Sequence, residues 1–284
     1  LRISQSASLT AMLFHIKSEG DKIYGLIGST KYIVTYCDVI PQEYYVTWLA
    51  KRDKKTTATV EHGFYPAGSR QFVASKSDYF IANTAIGADY AKQAGIKNVL
   101  IGGLMSDIYS EEANQIRHNG IFAVLLDVMG NNETHEIDNA QMLQLSEHLA
   151  NENNLNYIIR YHPADTGRII HNMNSVRLCY LSLKDESIAD LLNKVDFIIA
   201  NQSTTYFQAI SKLIPALRYI GISGDNMPSI DFGVFHNYME LIKCYDVFIG
   251  MTLQDMRELK RRIIGANDIF GQYKRTFNHI RGHE

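Results

Sequence analysis

The sequence predicts a two-lobed α/β protein, each lobe a parallel sheet with crossover helices, the lobes facing across a cleft. Three observations carry that expectation. Short β-branched and aromatic runs alternate with stretches of helical spacing. A polar segment interrupts the alternation, which then starts afresh. The 284 residues also exceed the roughly 100–200 usual for one domain.

In the first lobe the strands read as residues 32–36, 56–60, 79–82 and 98–101, each ending at a polar or glycine-bearing turn. Helical spacing falls at 43–50 and at 85–94, the second closed by Gly95. The polar stretch 106–120, with Glu111-Glu112 and His118-Asn119-Gly120, reads as the link, so the lobes are set at 1–112 and 113–284. Beyond it, strands are expected at 121–126, 157–160, 176–179 and 197–200, and another after Pro215. Helices are expected at 140–150, before 197, from about Thr204, and at 253–264, extended by Phe270, Tyr273 and Phe277.

With 46% hydrophobic and 20% charged residues, the composition is that of an ordinary globular protein. A net charge of -2 lacks the basic footprint of a nucleic-acid binder, which excludes that partner. Basic residues gather at Lys51-Arg52-Asp53-Lys54-Lys55 and Lys260-Arg261-Arg262, read as solvated helix ends, with peripheral contact to an anionic membrane face as the alternative. Cys37, Cys179 and Cys244 form no CxxC pair and read as buried thiols of a reducing compartment. No apolar run approaches the roughly 18 residues of a membrane span and no charged-then-apolar leader opens the chain, so a cytoplasmic location is expected. The chain begins at Leu1 rather than Met, which leaves room for a missing N-terminal piece.

Three strand ends carry candidate chemistry. After the strand at 197–200 comes Asn201-Gln202-Ser203-Thr204-Thr205, where hydroxyls and a new helix start offer donors to a phosphate; an ordinary helix cap is the plain alternative. The strand at 157–160 runs into Arg160-Tyr161-His162-Pro163, whose imidazole can donate to a phosphate or ribose oxygen. In the other lobe, Glu61-His62-Gly63 ends a strand at a sharp turn, which suggests His62 as general base with Glu61 as its orienting carboxylate. The motifs GxGxxG, GxxxxGK[ST], HExxH, GxSxG and Asp-x-Asp are all missing.

Taken in order, His62-Gly63, the strand 79–82 with its helix, Arg160 to Pro163 and Ser203-Thr204 resemble bacterial GT-B transferases of surface polysaccharides. The similarity points toward the CDP-glycerol glycerophosphotransferases and the bacterial sialyl-, polysialyl- and Kdo-transferases, over residues 32–220. It implies two Rossmann-like lobes of the GT-B type, an acceptor-side N-terminal lobe and a donor-binding C-terminal one, with no metal and no cofactor. By that resemblance His162, Pro163, Ser203 and Thr204 bind the nucleotide of the donor; with Arg160, Thr205 and Gln208 beside them, the expected donor is CMP-, CDP- or UDP-linked, cytidine slightly preferred over uridine. The acceptor is then a growing capsule or other surface glycan.

Two departures stand out. The sialyl and polysialyl relatives carry an acidic pair before the glycine where this chain has Glu61-His62-Gly63, and Gln208 stands where many GT-B enzymes have a glutamate that grips ribose or sugar hydroxyls. A nucleotide-sugar epimerase of the same architecture and a noncatalytic nucleotide- or glycan-binding scaffold are the alternatives.

Overall fold

The structure is a computed structural model and describes residues 3–27, 29–107, 112–127, 133–164, 175–182, 185–225, 227–228 and 230–282. The chain folds into two compact units, Leu1–Gly103 together with Asp268–Glu284, and Leu104–Asn267.

In the first unit, α1 (Ile3–Ile27) precedes a parallel sheet of β1 (Tyr32–Thr35), β2 (Thr56–Val60), β3 (Tyr79–Ala82) and β4 (Val99–Ile101), in the order β1-β2-β3-β4. Parallel neighbours need crossovers, and α2 (Pro41–Arg52), α3 (Arg70–Ala74) and α4 (Ala85–Gln93) supply them. Local signals set their ends. Proline occupies the start of α2, where its missing N–H costs nothing, and the Thr84 hydroxyl accepts from Gly87 N–H to cap α4. Val46 and Ala50 of α2 pack on Ile33 beside Tyr24 and Ile27 of α1, while Phe72, Ala88 and Ala91 close over Phe80 and Ala82.

The second unit holds β5 (Ile121–Leu125), α5 (Glu133–Glu152), β6 (Asn156–Arg160), β7 (Leu178–Ser182), α6 (Ile188–Leu192), β8 (Phe197–Ala200) and α7 (Thr205–Ser211). It continues through β9 (Ala216–Tyr219), β10 (Val234–Phe235), α8 (Tyr238–Ile249) and α9 (Leu253–Ile263). All six strands are parallel, in the order β10-β9-β8-β5-β6-β7. Phe122 of β5 stacks on Phe197 of β8 at 4.8 Å between ring centroids, and Tyr245 and Phe248 of α8 close over Phe197. Truncating such a buried ring to alanine costs about 3–5 kcal/mol.

Winding reverses in this sheet. From β5 the chain goes outward through β6 and β7, then returns to the other side of β5 with β8 and continues to β9 and β10. The β5/β8 junction is therefore a topological switch point, and open parallel sheets bind ligands outside their strand ends at such a junction.

Several sequence expectations shift. Helix α5 covers Glu133–Glu152 rather than 140–150; apolar spacing does not reveal its first turns because the face they bury is polar, with Asp138 and Asn139 both buried. Strand β7 lies at 178–182 rather than 176–179, and as an edge strand it leaves Cys179 exposed instead of buried. Cys37 is buried and Cys244 partly so. Lys260 is no solvated helix end: it is buried and ion-paired to Glu112 at 2.6 Å.

The last helix, α10 (Ile269–Gly282), returns to the first unit, whereas the sequence drew one cut at 112/113 and placed this helix with the second lobe. Its contacts explain the assignment. Gln272 donates to Ile101 O at 2.8 Å, Tyr273 donates to Gly103 O at 3.2 Å, and His279 meets Tyr79 edge-on.

Candidate functional site

The register of the second sheet sets its carboxyl edge. Leu125 pairs with Arg160 on one side and Ala200 on the other, so Asp127, His162 and Gln202 each lie two residues beyond the last paired residue of their strands. Because the strands are parallel, the chain leaves β5, β6 and β8 at one edge of the sheet, and these three residues make up the row of chain exits at the switch point.

His162 is half-buried, and its Nδ1 accepts from Ala164 N–H at 3.1 Å. That bond assigns the proton of the neutral ring to Nε2, which leaves an N–H to donate. Pro163 is exposed beside it.

On the β8 side, Ser203 Oγ accepts from Thr205 N–H at 3.2 Å in a serine turn leading into α7, while the N-cap residue Thr204 makes no side-chain cap bond. Thr204 is exposed and Thr205 buried. Gln208 donates to Ser106 Oγ at 3.0 Å. Arg160 is buried and donates from Nη1 to Ser182 Oγ on β7 at 2.9 Å; burial lowers its pKa from the ordinary value. One guanidinium nitrogen is thus engaged on the neighbouring strand.

Helix α5 supplies what sequence reasoning missed. Asn139 clamps the end of β5 by accepting from Asp127 N–H and donating to Asp127 O, both at 3.0 Å. One helical turn earlier, His135 Nδ1 lies 3.4 Å from Asp127 Oδ2, the two side chains 24% and 13% exposed. Gln202 Nε2 reaches the turn after β9, donating to Gly224 O at 3.0 Å and Ser223 Oγ at 3.3 Å. The available signal was an acid placed directly after a buried strand, with a histidine eight residues on.

The first unit has its own polar edge. Glu61 ends β2 and is 1% exposed; Oε2 accepts from Asn83 N–H at 2.8 Å and Oε1 from Tyr65 N–H at 3.3 Å. Gly87 leaves room for this carboxylate, since a Cβ there would fall 2.9 Å from Oε2. Burial raises the Glu61 pKa to about 7 against the two backbone donors, which favour the charged form. His62 points the other way. It is exposed and meets Tyr36 edge-on at 5.0 Å, so adjacent residues of an extended segment present their side chains to opposite sides and Glu61 does not orient His62. Among the described residues no three His, Cys, Asp or Glu side chains gather as a metal-ligand group.

No family model matches the chain, and no curated protein matches it in sequence. Solved structures do match. A UDP-GlcNAc 2-epimerase of Methanocaldococcus jannaschii superposes with a TM-score of 0.61 at 13% identity, over 93% of this chain and 82% of that one. The fold is of the GT-B type. A glycosyltransferase of Rickettsia africae matches with a TM-score of 0.57 at 13% identity, over 95% and 83%. An Escherichia coli trehalose-6-phosphate structure bound with UDP-2-fluoro glucose matches with a TM-score of 0.53 at 12% identity, over 94% and 77%. This chain shares with them two parallel-sheet α/β units. At such identities the likeness is one of fold.

Proposed function

We propose that the chain is a GT-B-type glycosyltransferase whose second unit binds a nucleotide-linked donor along the row His162, Asp127 and Gln202. The observation that carries this reading is the switch-point edge, where His162 follows β6, the neighbour of β5, with Nδ1 occupied by Ala164 N–H and Nε2 left to donate. That N–H and the hydroxyls of Ser203 and Thr204 would stabilise charge building on the departing phosphate, so no metal is required. His62, exposed at the carboxyl edge of the first sheet, would take the acceptor hydroxyl proton. The group moved is a sugar or polyol phosphate and the acceptor a surface glycan. The motif resemblance favours cytidine, and the uridine ligands of the fold neighbours keep uridine in the reading.

A thermal-shift panel of CMP, CDP, UMP, UDP and GDP tests it. Ligand at 100 times its dissociation constant should stabilise by about 2.7 kcal/mol, and no shift with any of them sinks the proposal.

One observation favours a second reading: several fold neighbours are UDP-GlcNAc 2-epimerases. Acceptor dependence separates the two. A transferase releases nucleotide slowly until a glycan acceptor is added, whereas an epimerase converts its nucleotide sugar with no acceptor present.

A further inference from the structure

We infer that His135, oriented by Asp127, accepts a hydrogen bond from a hydroxyl of the bound ligand at the β5/β8 junction. The inference rests on the nucleotide-sugar reading and gives it a specificity residue outside the motifs that suggested it.

Placement is the first support. Residues 135 and 139 are one turn apart on the same face of α5, and Asn139 is bonded twice to the backbone of Asp127 at the end of β5. His135 therefore stands over the end of the central strand, on an element locked to that strand. The switch point lies directly beside it.

Chemistry is the second support. The Asp127 carboxylate beside Nδ1 favours the tautomer with its proton there, so Nε2 carries the lone pair. His162 has the opposite assignment, with Nδ1 accepting and Nε2 donating. The row thus offers a donor from β6 and an acceptor from α5. A phosphorylated sugar needs both, its phosphate oxygens taking the donor and its hydroxyls the acceptor. Gln208, where the resemblance expects a hydroxyl-gripping side chain, has its amide donating to Ser106.

The hydroxyl belongs either to the nucleotide ribose or to the sugar it carries, and the ligands of the test separate these sources. Calorimetric titrations would compare UDP with 2′,3′-dideoxy-UDP, and UDP-glucose with UDP, for the wild type, His135→Ala, His135→Gln and Asp127→Asn. Removing the acceptor should weaken the hydroxyl-bearing ligand by about three- to tenfold and leave its partner lacking that hydroxyl unchanged. Loss confined to the first pair assigns the ribose, and loss confined to the second assigns the sugar. His135→Gln should restore part of the difference through its amide oxygen. Asp127→Asn should lose part of it while keeping the Asn139 clamp, which uses Asp127 backbone atoms only. Melting midpoints report folding of each variant. Equal loss for every ligand, or none, in a folded His135→Ala overturns the inference and spares the nucleotide reading. A wild type that binds neither UDP, CDP nor UDP-glucose overturns both.

Discussion

Asp138 of α5 accepts the backbone N–H of Ser223 at 3.0 Å, and the Ser223 hydroxyl as well, across 85 residues of sequence while fully buried. Its other oxygen accepts Ile222 N–H at 2.8 Å. One carboxylate thus fixes the turn after β9, which Gln202 in turn joins to the end of β8. Gly221 permits this approach, because a Cβ there would overlap the carboxylate.

Asp138→Ala should therefore strand two backbone donors, and stability measured by urea denaturation should fall by about 2–4 kcal/mol. Gly221→Ala should destabilise by a similar route, through overlap instead of loss. A drop below about 1 kcal/mol in both would mean that the turn is held by other contacts.

Glu61 makes a prediction in pH. Its folded pKa, raised from the ordinary 4.5 to about 7, exceeds the unfolded value, so between these limits the folded state binds the extra proton. Stability from this group is then greatest below about pH 4.5, falls as pH rises toward 7, and stays reduced above it, by roughly 3 kcal/mol in total. Glu61→Gln cannot ionise. Its denaturation free energy should change less between pH 5 and 8 than that of the wild type, and parallel pH profiles would refute the assignment.

The two motif histidines should separate kinetically. His162→Ala removes the Nε2–H donor and should raise the donor KM and weaken UDP or CDP binding, by about tenfold. His62→Ala should leave nucleotide affinity intact and lower kcat by a factor on the order of 10²–10⁴. Wild-type turnover in His62→Ala would return that residue to its packing role against Tyr36.

Transfer should survive excess EDTA. Activity lost on chelation and regained with magnesium or manganese would move the phosphate chemistry to a metal.

Much of the fold could be read from sequence because its signal is local. The strands at 56–60, 79–82 and 197–200 fall where their β-branched and aromatic runs place them. Helices were harder wherever their buried face is polar or their partner distant. The first turns of α5 bury Asp138 and Asn139 against loops that leave other strands, a pattern that shows no apolar period. Helix α8 escapes the sequence reading although Asn237 caps it by accepting from Glu240 N–H, and the Glu240 carboxylate accepts from His236 N–H. The same limit governs the candidate site. His162 and Ser203 follow strands and are singled out by that rule, whereas the proposed place of His135 depends on strand order, since β8 returns to the far side of β5. Adjacency in sequence suggests Glu61 and His62 as partners, yet in extended backbone adjacent side chains point to opposite sides.

The return of α10 to the first unit makes the two units unequal during synthesis. Residues 104–267 form an uninterrupted stretch that can be completed as it leaves the ribosome. The unit begun first is finished last, because the carbonyls of Ile101 and Gly103 wait for Gln272 and Tyr273. Expressed alone, residues 104–267 should behave as a self-sufficient domain, whereas residues 1–103 should be prone to aggregate until a separately supplied helix 268–284 restores them.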